Sequence, residues 1–265
     1  MKVRDKFPIG RAALLRGLDF GWRGSATLLL IAVTVFFAVG AVAQTTNDLS
    51  DAQIQGRNLA QKILEQWPAT NTIQMGVLNI RSSRGTSTNI PIKCEIFVSE
   101  KHWDCHYEAS LNDGSTELLT VNHGKSWANH YGHLNRVRDT LLPIYQNSPF
   151  ANSDFWVTDL GLEFFHWPEQ KNLKSEMRRG QPCKVLESVN PNPSTNGYSR
   201  VVSWIDNESD GIVHAEAYDA NGQLLKEFDP KSFKKVNGQW ELQDMEIRNV
   251  QTGSRTHLKF NLNPH

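Results

Sequence analysis

Residues 223–249 read QLLKEFDPKSFKKVNGQWELQDMEIRN. Two strand-like segments, Gln223 to Val236 and Gln239 to Asn249, meet at Asn237-Gly238. This dipeptide favours two-residue hairpin turns, whose central residues need positive φ. A side-chain period of 2 on each side argues for strands with one face turned inward. The same punctuation recurs on both sides. Tyr198 to Asp206 and Ile212 to Asp219 flank Asp210-Gly211, Asn221-Gly222 supplies the next turn, and Ser254 to Leu262 follows Thr252-Gly253. Upstream, Asn172 to Arg179 and Cys183 to Val189 flank a further turn. Nearer the amino terminus, Thr72 to Arg81, Thr88 to Val98, Trp103 to Leu111, Thr116 to Asn122 and Lys125 to Tyr131 are separated by Ser83-Arg84-Gly85, a turn near Glu100, Asn112-Asp113-Gly114 and His123-Gly124. The pattern predicts a mainly β (α+β) chain: a strongly curved antiparallel sheet of about ten or eleven strands, forming an unclosed barrel because sheets of that size curl or split.

Two stretches break the period. Asp48 to Trp67 places Leu49, Ala52, Leu59, Ala60, Ile63, Leu64 and Trp67 at helical spacing, with Ser50 and Gln53 able to form a capping box and Pro68 ending the helix. Between Leu134 and Pro168 the strand pattern stops. Val137, Leu141, Leu142 and Ile144 suggest a short helix broken by Pro143, and Thr158 or Asp159 can cap a second one, Leu160 to His166. Within that region Ser153 to Pro168, SDFWVTDLGLEFFHWP, holds three Phe and two Trp. Such density must be buried, either as ordinary core or as an apolar cover over a cavity. Its position between two halves of one curved sheet makes it a lid candidate.

The first 43 residues read as a secretory signal peptide. Lys2, Arg4, Lys6, Arg11, Arg16 and Arg23 form a basic leader, Ala26 to Val39 is apolar apart from Thr27 and Thr34, and Ala41-Val42-Ala43 is a small-x-small site cut after Ala43. The alternative is retention as a membrane anchor, for which the uncharged run is near the lower limit of a spanning helix; with cleavage the expected mature domain is 44–265. Of 28 basic and 28 acidic residues the leader holds six and two, leaving 22 against 26. With no basic block, nucleic-acid binding is disfavoured. An outer-membrane barrel is disfavoured too, because Lys, Arg and Glu occupy both alternating faces in Lys231 to Lys235 and Asn172 to Arg179.

Three cysteines follow the leader: Cys94, Cys105 and Cys183. Cys94 and Cys105 could meet across a hairpin, Cys183 could pair with either, or all three could be buried thiols. His102 with His106, and His130 with His133, lack the companions of a zinc site. Cys105-His106 points to opposite faces of a strand, and Asp154 and Asp159 read as turn and cap residues. No nucleophile elbow, phosphate loop or dinucleotide fingerprint is present. No enzyme, cofactor or metal is expected.

Ser153-Asp154-Phe155, Asp159-Leu160-Gly161, His166-Trp167-Pro168 and Gly180-Gln181-Pro182-Cys183-Lys184-Val185-Leu186-Glu187-Ser188 together resemble the LolA-like outer-membrane lipoprotein-sorting proteins of bacteria. Tyr198 to Val201, Trp204 to Asp206, Ala215 to Asp219, Leu225-Lys226 and Ser254 to Thr256 match in character, so the likeness spans about Asp48 to Leu262. It implies an unclosed β-barrel with a helical lid over an apolar cavity. The implied role is a periplasmic carrier of lipid or of lipoprotein acyl chains, working with inner- and outer-membrane lipoprotein-handling proteins. The same fold also serves regulatory sensors that act through protein contacts. Candidate lid and cavity residues are Phe155, Trp156, Leu160, Phe164, Phe165 and Trp167, with Leu59, Ile63 and Trp67 on the first helix and Met75, Val77, Trp204 and Met245 on strands.

Overall fold

The computed structural model describes residues 49–261, apart from 125–127, 136–139, 143, 146 and 237–238. The expected signal peptide and its cleavage site lie outside the described residues. Helix α1 (Asp51–Leu64) opens on the expected capping box: the Gln53 backbone N–H donates to the Ser50 hydroxyl, and the Ser50 N–H to the Gln53 side chain. Its buried face is Gly56, Leu59, Ala60 and Ile63.

Thirteen strands follow among the described residues: β1 (Thr72–Arg81), β2 (Ser87–Val98), β3 (His102–Ser110), β4 (Thr116–Gly124), β5 (His130–Asn135), β6 (Thr140–Leu141), β7 (Glu169–Arg178), β8 (Gln181–Val189), β9 (Arg200–Asp206), β10 (Ile212–Tyr218), β11 (Leu224–Val236), β12 (Gln239–Asn249) and β13 (Arg255–Phe260). All pairings are antiparallel in one open sheet of order β6-β5-β4-β3-β2-β1-β13-β12-β11-β10-β9-β8-β7. Strands β1 and β13 meet in the middle, with Leu78 opposite Leu258, while β6 and β7 are the two edges.

Three local expectations are corrected. Thr140–Leu141, read as part of a short helix, pairs with Leu134 and Asn135 as a strand. The fifth strand begins at His130 rather than Lys125, because β4 runs on through His123-Gly124, which had looked like a turn. The single helix expected over Leu160 to His166 is split into α2 (Val157–Leu160) and a 3₁₀ turn (Glu163–His166). Leu162 lies between them in the left-handed region, φ 48°, and the Asp159 carboxylate draws the helix start forward by accepting from the Trp156 N–H at 2.8 Å.

The sheet's inner face and α1 enclose one large apolar core that includes Leu78, Ile90, Ile92, Leu119, Val121, Leu186, Val201, Ile205, Phe228, Ile247 and Leu258. A smaller cluster of Cys183, Val185, Val202 and Trp204 sits apart from it. On β9, Val201 and Ile205 join the first cluster and Val202 and Trp204 the second, so alternation places the smaller cluster on the outer face. Among the described residues no helix is long and apolar enough to cross a membrane.

Candidate functional site

The chain between β6 and β7 joins the two edges of the sheet and folds back against its inner face. Phe150, Phe155, Phe164 and Phe165 are each at most 3% exposed and belong to the main core. Phe164 packs against Phe165, Trp167 and Phe228, and Trp156 stacks on Tyr198 at 4.4 Å. This segment is a plug, with its aromatic side chains inside the curve of the sheet. Its backbone is bent at Ala151 (φ 53°), Asn152 (φ 53°) and Leu162 (φ 48°). Left-handed conformations cost a non-glycine residue about 1 kcal/mol or more each, so the surrounding contacts must hold the plug in shape.

Polar side chains of the sheet provide much of that hold. The Glu117 carboxylate accepts from the Ala151 N–H at 3.0 Å and pairs with His133 at 2.6 Å, all three groups being buried. Thr256 donates to the Asp154 carboxylate at 2.9 Å and accepts from the Asp154 N–H at 2.9 Å. The Gln170 amide donates to the carbonyls of Phe164 and Trp167 at 2.9 Å. Asn129 donates to the Gly161 carbonyl at 2.6 Å, and the Tyr131 hydroxyl donates to Glu163 at 2.8 Å. These bonds serve plug groups that are wholly or partly buried, and leaving such a buried group without a partner costs about 1–3 kcal/mol.

The most buried charged side chain of this set is Lys226, 1% exposed on β11. Its Nζ donates to the Asp154 carbonyl at 2.6 Å, lies 3.3 Å from Asp159 Oδ2 and sits 3.5 Å above the Trp156 ring. Burial lowers the Lys226 pKa to about 8 against the opposing pull of Asp159, and burial likewise raises that of Asp159 despite Lys226. The buried Tyr198 hydroxyl and the Asp159 carboxylate interact, but neither that hydroxyl nor Asp159 Oδ1 makes a well-formed hydrogen bond. At the other end of the plug, His123 stacks on Trp103 at 3.8 Å, and burial, aided by nearby His166, lowers its pKa to about 4. Burial also raises the pKa of Glu163, against its bonds to Tyr131 and Asn129.

A half-open pocket of ≈360 Å³ borders the beginning of the plug, lined by Ile80, Thr88, Ile90, Leu111, Asn112, Asp113, Ala151 and Asn152. On the outer face, His214, Glu216 and Glu227 bring potential ligand atoms within 4.8 Å of one another. These groups are already engaged: His214 with Asp229 at 2.6 Å, Glu216 with Tyr218, and Glu227 with Arg248 at 3.4 Å.

The expected site residues separate by face. Phe155, Phe164, Phe165, Leu59 and Ile63 are buried in the main core, and Trp156, Leu160, Trp167 and Met245 pack against it half-buried. Trp67 is half-buried beyond the end of α1. Met75 is 52% exposed and Val77 shares its face of β1, opposite the inward Leu78, while Trp204 belongs to the outer cluster. Phe150, Glu117, His133, Asn129, Tyr131, Gln170, Tyr198 and Lys226 were missed. A signal existed for Lys226, since it lies two residues from Phe228 in a period-2 run and should share its face. Cys94 and Cys105 are buried with their sulfurs 3.0 Å apart, and Cys183 lies in the outer cluster.

An open antiparallel barrel carrying an internal aromatic segment between its edge strands defines a LolA-like fold. A family model described as "Uncharacterized protein" matches residues 112–262, more than half of the chain, and the chain belongs to that family. Among solved structures, a putative outer membrane lipoprotein-sorting protein domain from Vibrio parahaemolyticus is similar at TM-score 0.67 and 21% identity, over 79% of this chain and 92% of that one. A DUF1329 family protein from Desulfovibrio piger is similar at TM-score 0.65 and 18% identity, over 80% and 92%. A LolA superfamily protein from Nitrosomonas europaea is similar at TM-score 0.54 and 14% identity, over 80% and 93%. No curated protein matches the sequence.

Proposed function

We propose that the protein is an exported, periplasmic carrier that binds lipid or lipoprotein acyl chains on the inner face of the barrel, in the space the plug fills. Residues 1–43 serve as its cleaved signal peptide, and its partners are the proteins that load and unload such cargo at the inner and outer membranes. The observation that supports this reading is that the curved sheet is filled by a separate, strained mid-chain segment rather than by a second sheet. Exchange is energetically reasonable. Four buried Phe side chains contribute roughly 6–12 kcal/mol, and a sixteen-carbon chain buried at about 0.8 kcal/mol per methylene contributes about 12 kcal/mol. A cargo chain can therefore compete for the same space, which a reversible carrier requires. The structural relatives named for lipoprotein sorting agree with this role. It needs no catalytic chemistry.

A second reading, a sensor or scaffold acting through protein contacts, draws on the exposed Ile73, Met75 and Phe97. Gentle purification of the mature protein, organic extraction and mass spectrometry separate the two. Stoichiometric lipid supports the carrier, whereas reproducibly empty protein that also fails to take up added lipid refutes it.

A further inference from the structure

The plug is the one occupant whose contacts with the inner wall are visible, and its chemistry shows what that wall accepts. Its aromatic rings answer the apolar lining, and its charged side chains nearest Lys226 are carboxylates, Asp154 and Asp159. Lys226 contributes a cation 1% exposed, framed by the rings of Trp156 and Tyr198 at 3.5 and 5.4 Å. Its charged neighbour Asp159 and its carbonyl ligand Asp154 both belong to the plug. If cargo displaces the plug, these partners leave with it, and an amine on an apolar wall is left without them. A buried cation requires a counter-charge, and removing one partner of such a pair is strongly unfavourable.

The fit of the plug to this wall is also incomplete. The Tyr198 hydroxyl, whose pKa burial and the nearby Asp159 carboxylate raise, interacts with Asp159 but makes no well-formed hydrogen bond. Asp159 Oδ1 makes none either. The wall thus offers two donors, Lys226 Nζ and the Tyr198 hydroxyl, and the plug holds the first by a hydrogen bond and an ion pair and the second only loosely through Asp159. A carboxylate or phosphate head offers several acceptor oxygens and a full negative charge, enough to serve both.

We propose that the preferred cargo is an amphiphile with a long acyl chain and an anionic head, the head being held by Lys226 and Tyr198 while the chain replaces the plug's aromatic side chains. This rests on the carrier reading and narrows it. With the plug in place burial lowers the Lys226 pKa to about 8, against the pull of Asp159, so the side chain is mainly charged at neutral pH.

The test compares three probes of equal chain length: palmitate, hexadecyl phosphate and hexadecanol. They are titrated into delipidated mature protein and into the paired variant Lys226→Met/Asp159→Asn. The pair removes both charges together and so avoids stranding either one in the core, and thermal melting confirms folding. A second variant, Tyr198→Phe, removes only the hydroxyl. Wild type should bind at least one anionic probe about ten-fold more tightly than hexadecanol, the span of a charge-assisted hydrogen bond. The paired variant should lose most of the preference, and Tyr198→Phe should lose the smaller remaining part. Which anion binds better separates a carboxylate from a phosphate head. Equal binding of all three by wild type, or an undiminished preference in the paired variant, overturns the anionic-head proposal and leaves the carrier standing. No binding of any probe overturns both.

Discussion

Replacing Gly56 by Ala tests how tightly α1 is seated on the sheet edge. A Cβ at that position would lie 2.5 Å from the Lys171 nitrogen and 2.6 Å from the Gln170 carbonyl carbon, both backbone atoms of β7. Carbon contacts are comfortable at about 3.5–4.0 Å, so the helix must retreat by about 1 Å. Neither obstacle can rotate out of the way. Retreat loosens Leu59, Ala60 and Ile63 against the core and the approach of α1 to the 3₁₀ turn of the plug. Overpacking of this kind costs about 1–3 kcal/mol, and the partial loss of two buried aliphatic side chains adds about 1–2 kcal/mol. The better helix propensity of Ala returns about 1 kcal/mol. The net expectation is a loss of about 2–3 kcal/mol and a fall in Tm of roughly 5–10 °C. Thermal melts of the mature chain, followed by circular dichroism, measure it, with Arg57→Ala on the exposed side of α1 as the control. A Tm equal to or above wild type would refute the close seating, because propensity alone would then be deciding the outcome.

Other expectations follow from the same geometry. In an oxidising compartment Cys94 and Cys105 should join, lowering the intact mass by about 2 Da, and their loop of about 12 residues should make reduction cost about 3 kcal/mol; three titratable thiols in unreduced, unfolded protein would contradict this. His123 is held neutral by burial, so its contribution is fully present above its unfolded pKa of 6.5 and is lost as pH falls toward its folded value of about 4. The unfolded chain binds the extra proton in that window, which amounts to about 3 kcal/mol, and urea midpoints that do not fall between pH 7 and pH 4.5 any more steeply for wild type than for His123→Asn would argue against it. Lys226→Ala strands the Asp159 carboxylate and should destabilise by about 3–5 kcal/mol, whereas Lys226→Met/Asp159→Asn should cost much less; equal losses in chemical denaturation would mean that the charges are not coupled. Phe164→Ala, at a side chain 3% exposed, should cost about 3–5 kcal/mol by the same assay if the plug is core in the closed state.

Much of the architecture could be read from residue patterns. Period-2 runs and Asx-Gly or Ser/Thr-Gly turns located most strands, and Ser50 with Gln53 marked the start of α1. The place of the aromatic segment between two halves of the sheet was legible because strand periodicity stops at Leu134 and resumes after Pro168. Facing was not. Met75 and Val77 differ from Leu78 only by register, and Trp204 looked like core because its size says nothing of which face it is on. The break at Leu162 depends on tertiary contacts that hold a strained residue in place, which local propensity does not encode. The polar hold on the plug escaped for a related reason: that Lys226, Glu117 and Asn129 converge on one segment follows only once β11, β4 and the approach to β5 are set around it.

The pairing of β1 with β13 has a consequence for the order in which the molecule assembles. The two strands lie about 180 residues apart along the chain, whereas every other strand pair in the sheet joins neighbours in sequence. Strands β1–β6 and β7–β12 can therefore form early as two separate meanders, each presenting an unpaired inner edge. Only when β13 arrives do those edges close, joined through one strand, and give the plug a complete wall. A chain emerging amino terminus first passes through a stage in which two sticky edges wait for β13, so it is most exposed to aggregation and to capture by chaperones just before that strand joins.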